Sequence, residues 1–106
     1  MNMMKMMQQA GKMKKRMQDM QEFVKQQKVT GEVANGAVKI TIDGAFKAHE
    51  VKLDKSVVNA DDIELLEDMI VSAFGDAHAK ATAMIENETR KVMTELGLPT
   101  NMDLPF

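Results

Sequence analysis

Between residues 28 and 53 the chain reads KVTGEVANGAVKITIDGAFKAHEVKL, and apolar and polar side chains alternate along it. Such alternation is typical of strands that bury one face. Asn35-Gly36 is the strongest short-range signal for a β-hairpin, and Asp43-Gly44 marks a second turn. The pattern over residues 28–54 therefore predicts a three-stranded antiparallel meander. The three strands are predicted over residues 28–34, 37–42 and 46–53.

A long helix is predicted before the sheet, in the Met-rich region 1–27. Over residues 3–27 the spacing follows a heptad pattern with alternating steps of three and four. The stripe comprises Met3, Met6, Ala10, Met13, Met17, Met20, Val24 and Gln27. We interpret it as a coiled-coil or dimer seam, or as an adaptable groove for partner helices, since Met is flexible and polarisable.

The same helix carries most of the positive charge. Residues 1–28 hold seven bases against two acids, a net of +5, whereas residues 29–106 have a net of −7 and the whole chain −2. A helical projection places Lys5, Lys12, Lys15 and Arg16 opposite the Met stripe, with Lys14 and Lys25 on a flank. This basic face of the helix is either simply solvated or a surface that contacts phosphates.

A second long helix is predicted over residues 61–96, with acids in its first turn and Gly97 as its stop. It is much longer than the strands, so half of it must project beyond the sheet or find another partner. We therefore expect self-association as a symmetric homodimer. Residues 97–106 are predicted to be an irregular tail, and 1–106 form one domain of α+β class.

The residue types argue against catalysis. The chain has no Cys, two His, two Ser and four aromatic residues, all Phe. No metal-ligand spacing, nucleophile elbow or phosphate-binding glycine loop is present, so we expect no enzyme activity, metal, cofactor or small-molecule substrate. His49, expected inward with Val51 and Leu53, and His78 are interpreted as packed structural histidines. No apolar run is long enough to span a membrane, and the composition fits a soluble cytoplasmic protein.

The order of these elements, with several exact strings, resembles the YbaB/EbfC family of bacterial nucleoid-associated proteins over nearly the whole chain. The matching strings are MQDMQE at 17–22, VTGE at 29–32, GAVKITIDG at 36–44, LEDMIVSAFGDA at 66–77 and LPF at 104–106.

The resemblance implies an α-β-β-β-α protomer and a homodimer whose helices project like tweezers. It also implies binding to double-stranded DNA in the cytoplasm and nucleoid, with an architectural or regulatory role. In such proteins the projecting helix ends contact DNA. Those ends carry Lys5, Lys12, Lys14, Lys15, Arg16, Arg90 and Lys91 in this chain.

Two functions follow as hypotheses. The first is a dimeric protein that contacts the DNA backbone through paired basic helices. The alternative is a protein-interaction module that uses the Met stripe or the tail ending Leu104-Pro105-Phe106.

Overall fold

The computed structural model describes residues 2–100 of the chain. In chain order it contains α1 (Met3–Gln26), β1 (Lys28–Val33), β2 (Val38–Asp43), β3 (Ala48–Leu53), a one-turn 3₁₀ helix (Lys55–Val57) and α2 (Ile63–Glu95). The predicted α-β-β-β-α order is confirmed, and the 3₁₀ turn is an addition within the predicted connection.

The sheet is an antiparallel meander in the order β1-β2-β3. Val33 pairs with Val38, so the first turn has four residues rather than the two-residue hairpin loop typical of Asn-Gly. Ala34, Asn35 and Gly36 all adopt positive φ angles of 54°, 56° and 84°. The Asn-Gly signal placed the turn correctly but underestimated its length.

The pairing of β3 with β2 contains an irregularity. Val38 faces Leu53 and Ile40 faces Val51, and the register then shifts between Thr41 and Ile42. Val51 and Leu53 share the core side of the sheet with their partners, as predicted. They are nevertheless 52% and 40% exposed, because α2 packs chiefly over β1 and β2.

The first half of α2 lies unusually close to the sheet. Its buried side chains there are small, and they pack on the apolar face of β2. Gly31 of β1 makes this approach possible, since a Cβ at that position would lie 2.2 Å from the backbone nitrogen of Ala77. The core formed here consists of Val38, Ile40, Ile42, Ala73, Ala77 and Ala81.

The second half of α2 extends past the sheet and packs against α1. Met17, Met20 and Val24 of α1 form a second buried cluster with Val92 and Met93 of α2. This contact accounts for the extra length of α2. The second half of the Met stripe is thus covered by α2 of the same chain rather than by another copy.

The free edge of β1 is closed by α2. The carboxylate of Asp76 accepts a hydrogen bond from the amide of Glu32 at 3.0 Å, and Lys80 donates to the carbonyl of Thr30 at 3.0 Å. Unpaired strand edges invite pairing with other chains. Within residues 2–100, these contacts leave β3 as the open edge of the sheet.

Candidate nucleic-acid interface

The first part of α1 projects from the body of the molecule, whose extents are 71 × 22 × 18 Å. We call residues 2–15 the arm. Residues 2–12 are all exposed, and contact with the end of α2 begins around Met13. The arm is therefore a helix held at one end by the α1–α2 cluster.

The arm carries four lysines: Lys5, Lys12, Lys14 and Lys15. All four are exposed, and within residues 2–100 none forms an ion pair. No acidic residue precedes Asp19 in the chain. The first turn of α1 also lacks acids, so the positive end of its helix dipole adds to the charge of the arm.

Arg16 differs from these lysines. Its guanidinium donates from Nε and Nη2 to the carboxylate of Glu95, near the end of α2. This partner raises the pKa of Arg16 and lowers that of Glu95. The sequence groups Arg16 with the lysines of this helix face, and the structure adds that its guanidinium is already paired with a carboxylate at the end of α2.

The two cations of α2 lie outside the arm. Lys91 places its Nζ 3.1 Å from Oε1 of Glu88, one turn earlier. Arg90 is exposed and makes no ion pair among the residues that the structure describes. The seven predicted contact residues therefore divide into four available lysines on the arm, one exposed arginine, and two cations paired with acids.

A turn between β2 and β3 anchors the other end of α1. The amide of Gly44 donates to the carbonyl of Gln27 at 3.1 Å. A Cβ on Gly44 would lie 1.9 Å from the carbonyl oxygen of Val24. The direction of the arm is thus fixed by a close backbone contact as well as by the α1–α2 cluster.

Asp43, which marks this turn in the sequence together with Gly44, also organises it through its side chain. One carboxylate oxygen accepts from the amides of Ala45 and Lys47, and the other lies 2.7 Å from Nε2 of His49. An ionised carboxylate only accepts, so His49 donates. The histidine bond, followed by the amide of Lys47, lowers the pKa of Asp43 to about 2. His49 is structural as expected, but it is partly exposed and not packed in the core.

A second exposed surface lies beside β3 and is apolar. Phe46 stacks on His78 with ring centroids 4.6 Å apart, and the ring of Phe74 lies 6.3 Å from the same imidazole, tilted by 46°. Together with Val51 and Leu53 these residues form what we call the β3 patch. His78 is therefore at the edge of the apolar face of α2, as predicted, and it packs against Phe46 at the surface rather than in the buried core.

Among residues 2–100, no three His, Asp or Glu side chains come together as a metal site. No described helix combines the length and apolarity needed to cross a membrane.

Comparison with known proteins connects this geometry to a family. The family model described as the YbaB/EbfC DNA-binding family matches residues 1–96. Proteins named nucleoid-associated protein match over 105 residues, 99% of this chain and 98% of theirs. The one from Rhodospirillum centenum is 46% identical and the one from Paramagnetospirillum magneticum 39%.

A solved structure, the crystal structure of an uncharacterized protein from Helicobacter pylori, has the same fold. The TM-score is 0.70 at 22% identity, over 92% of this chain and 99% of that one. At that identity the likeness concerns the fold alone.

Proposed function

This chain belongs to the YbaB/EbfC DNA-binding family, and from that membership we propose that it is a nucleoid-associated protein that binds duplex DNA as a homodimer. The observation that supports this most directly is the arm, where four exposed lysines occur without a neighbouring acid. Such a surface attracts the phosphate backbone electrostatically. The role is architectural or regulatory, in the cytoplasm at the nucleoid.

The mode of contact follows from the residue types on the arm. Lysine ammonium groups contact phosphates as point charges and carry no sequence information by themselves. The arm contains no aromatic side chain for stacking and no Arg, and the next residue, Arg16, is paired with Glu95. Binding through the arm is therefore directed to the backbone, and it is strongly dependent on salt.

The β3 patch is the surface on which we place the homodimer contact. The edge of β1 is closed by Asp76 and Lys80, whereas β3 keeps an open edge and an uncovered apolar face. A second copy that buries the same patch forms an isologous two-fold contact. Two protomers joined in this way present two arms to one duplex.

A titration of duplex DNA at several salt concentrations tests the proposal. The variant replaces the four arm lysines with Gln, and the control makes the same change at Lys39 and Lys55, which are exposed and lie outside the arm. If a dimer contacts about eight phosphates, log K falls with log salt at a slope near −7. The arm variant loses most of this slope, and the control retains most of it.

Two outcomes would contradict the proposal. One is wild-type protein without affinity for duplex DNA at low salt. The other is an arm variant with the same affinity and the same salt slope as wild type. The dimer contact has its own test by analytical ultracentrifugation: Val51→Lys becomes monomeric, whereas Met7→Lys, which adds the same charge in the arm, remains dimeric.

The exposed methionines of the arm favour a second candidate, a protein-interaction module. Met3, Met4, Met6 and Met7 are large apolar side chains in contact with water, and Met surfaces adapt to varied partners. The other segment considered for this role, Leu104-Pro105-Phe106, lies outside the described residues. A partner whose capture survives nuclease treatment and depends on residues 98–106 would favour this function over DNA binding.

A further inference from the structure

The Met stripe of α1 changes from buried to exposed at the point where α2 ends. Met20 and Met17 are 2% and 8% exposed, Met13 is half-buried, and Met6 is 54% exposed. Met6 precedes Met13 by seven residues, so the two lie within about 20° of each other around the helix. One continuous apolar stripe is therefore covered along half its length by α2 and uncovered along the other half.

The chain that leaves α2 is already directed onto this stripe. Gly97 adopts a positive φ of 72°, and the amide of Leu98 donates to the carbonyl of Met93 at 2.8 Å. Leu98 packs against the α1–α2 cluster. Together with Gln9, Lys12 and Met13 of α1 it borders an open groove of about 350 Å³.

The six residues beyond the described part have the composition and length to occupy the uncovered stripe. They read NMDLPF, with Met102, Leu104 and Phe106 at alternate positions. Six extended residues reach about 20 Å. The distance along α1 from Met13 to Met6 is about 10 Å, so the segment is long enough.

Charge favours the same arrangement. Residues 2–18 hold five bases and no acid, whereas the segment after Gly97 contains one charged side chain, that of Asp103. An acidic, apolar segment thus follows directly from the groove that borders a basic, apolar helix face. A second copy of α1 on the same face would instead bring like charges together.

We propose that residues 101–106 dock along the arm of their own chain and cover Met6, extending the packing that α2 provides up to Met13. The proposal does not depend on DNA binding, because it concerns apolar contacts within one chain. It assigns the tail a structural role on the same helix that carries the arm lysines.

Methionine oxidation by hydrogen peroxide tests this docking, because oxidation follows the accessibility of the sulfur. The full chain is compared with a chain ended at Thr100, and site-resolved mass spectrometry follows each methionine. Met6 is expected to oxidise several-fold faster in the shortened chain. Met4 is the internal control, since it is 68% exposed and faces away from the stripe, and its rate is expected to be equal in both chains.

A second variant, Leu104→Gln, keeps the chain length and charge, and its Met6 rate is expected to rise toward that of the shortened chain. A mixing experiment tests whether the tail acts within its own chain. When an isotopically labelled shortened chain is mixed with an equal amount of unlabelled full chain, Met6 of the shortened chain is expected to oxidise as fast as it does alone. Three results would overturn the proposal: equal Met6 rates in the full and shortened chains, an equal change at Met4, or Met6 protection that increases with protein concentration in both chains. The last result would assign the stripe to a second copy.

Discussion

Replacing Gly31 with Ala tests the close approach of α2 to the sheet. The added Cβ would lie 2.2 Å from the backbone nitrogen of Ala77 and 2.3 Å from the carbonyl oxygen of Ala73. Ordinary contacts begin near 3.4 Å, so helix and strand must separate by about 1 Å. Helix backbone atoms cannot rotate out of the way as a side chain can. Overpacking a core costs about 1–3 kcal/mol, and we expect about 3 kcal/mol here.

Thermal unfolding followed by circular dichroism measures this cost. A loss of 1 kcal/mol lowers the Tm of a domain of this size by about 4–8 °C, so Gly31→Ala is expected to lower it by at least about 12 °C. Gly75→Ala is the matched control. A Cβ on Gly75 of α2 would meet no atom within 4 Å apart from its own helix backbone, and Ala in a helix interior stabilises by about 1 kcal/mol relative to Gly.

The two substitutions are chemically identical, so opposite signs of the change in Tm isolate the effect of the contact. All measurements are made at one protein concentration, because the Tm of an oligomer depends on it. A Tm of Gly31→Ala equal to or above that of wild type would refute the close packing of α2 on β1.

Three further predictions concern the charged groups. The pKa of Asp43 is about 2 in the folded chain, below the ordinary 3.8, so its contribution to stability is complete above about pH 4 and is lost as the pH falls through 2. Asp43→Asn is therefore less stable at neutral pH, and its stability changes less between about pH 4 and pH 2 in an acid titration. Arg16→Gln is expected to leave the salt slope of DNA binding nearly unchanged, whereas Lys12→Gln lowers it by about 0.9 for each phosphate that the protein no longer neutralises. Asp76→Ala frees the amide of Glu32, which should then exchange faster with deuterium in an NMR experiment, while amides within the β1–β2 ladder stay protected.

The sequence predicted the order and type of every long element, because each has a strong periodicity. The alternation of apolar and polar residues at 28–53 and the heptad spacing of apolar residues at 3–27 can both be seen in short stretches of sequence. Each pattern predicts an element that buries one face, and each element does so in part. The length of the first turn was not predictable in this way. Ala34 adopts a positive φ angle, which alanine normally avoids. This conformation follows from the pairing of Val33 with Val38, which no local sequence pattern indicates.

The predicted candidate site was less accurate than the predicted fold, because it depends on contacts between distant parts of the chain. Glu95 lies 79 residues after Arg16, so no local pattern could show that this arginine is occupied. The inward packing expected for His49 was also wrong. A register shift pairs Thr41 with Glu50 and Ile42 with Ala48, so His49 between them has no partner in β2.

α2 packs on the sheet along its first half and on α1 along its second half. This change of partner explains why some basic side chains are paired with acids and others are not. Where α2 crosses the sheet it presents Ala73 and Ala77 opposite Gly31 of β1, so the backbones approach closely. Where it meets α1 it presents Val92 and Met93, which fit between two helices. This second contact sets the register of α1 against α2 and therefore brings Arg16 to Glu95. Among residues 2–100 the arm lysines form no ion pair with the acids of α2, so this contact occupies Arg16 and leaves the lysines available to a polyanion.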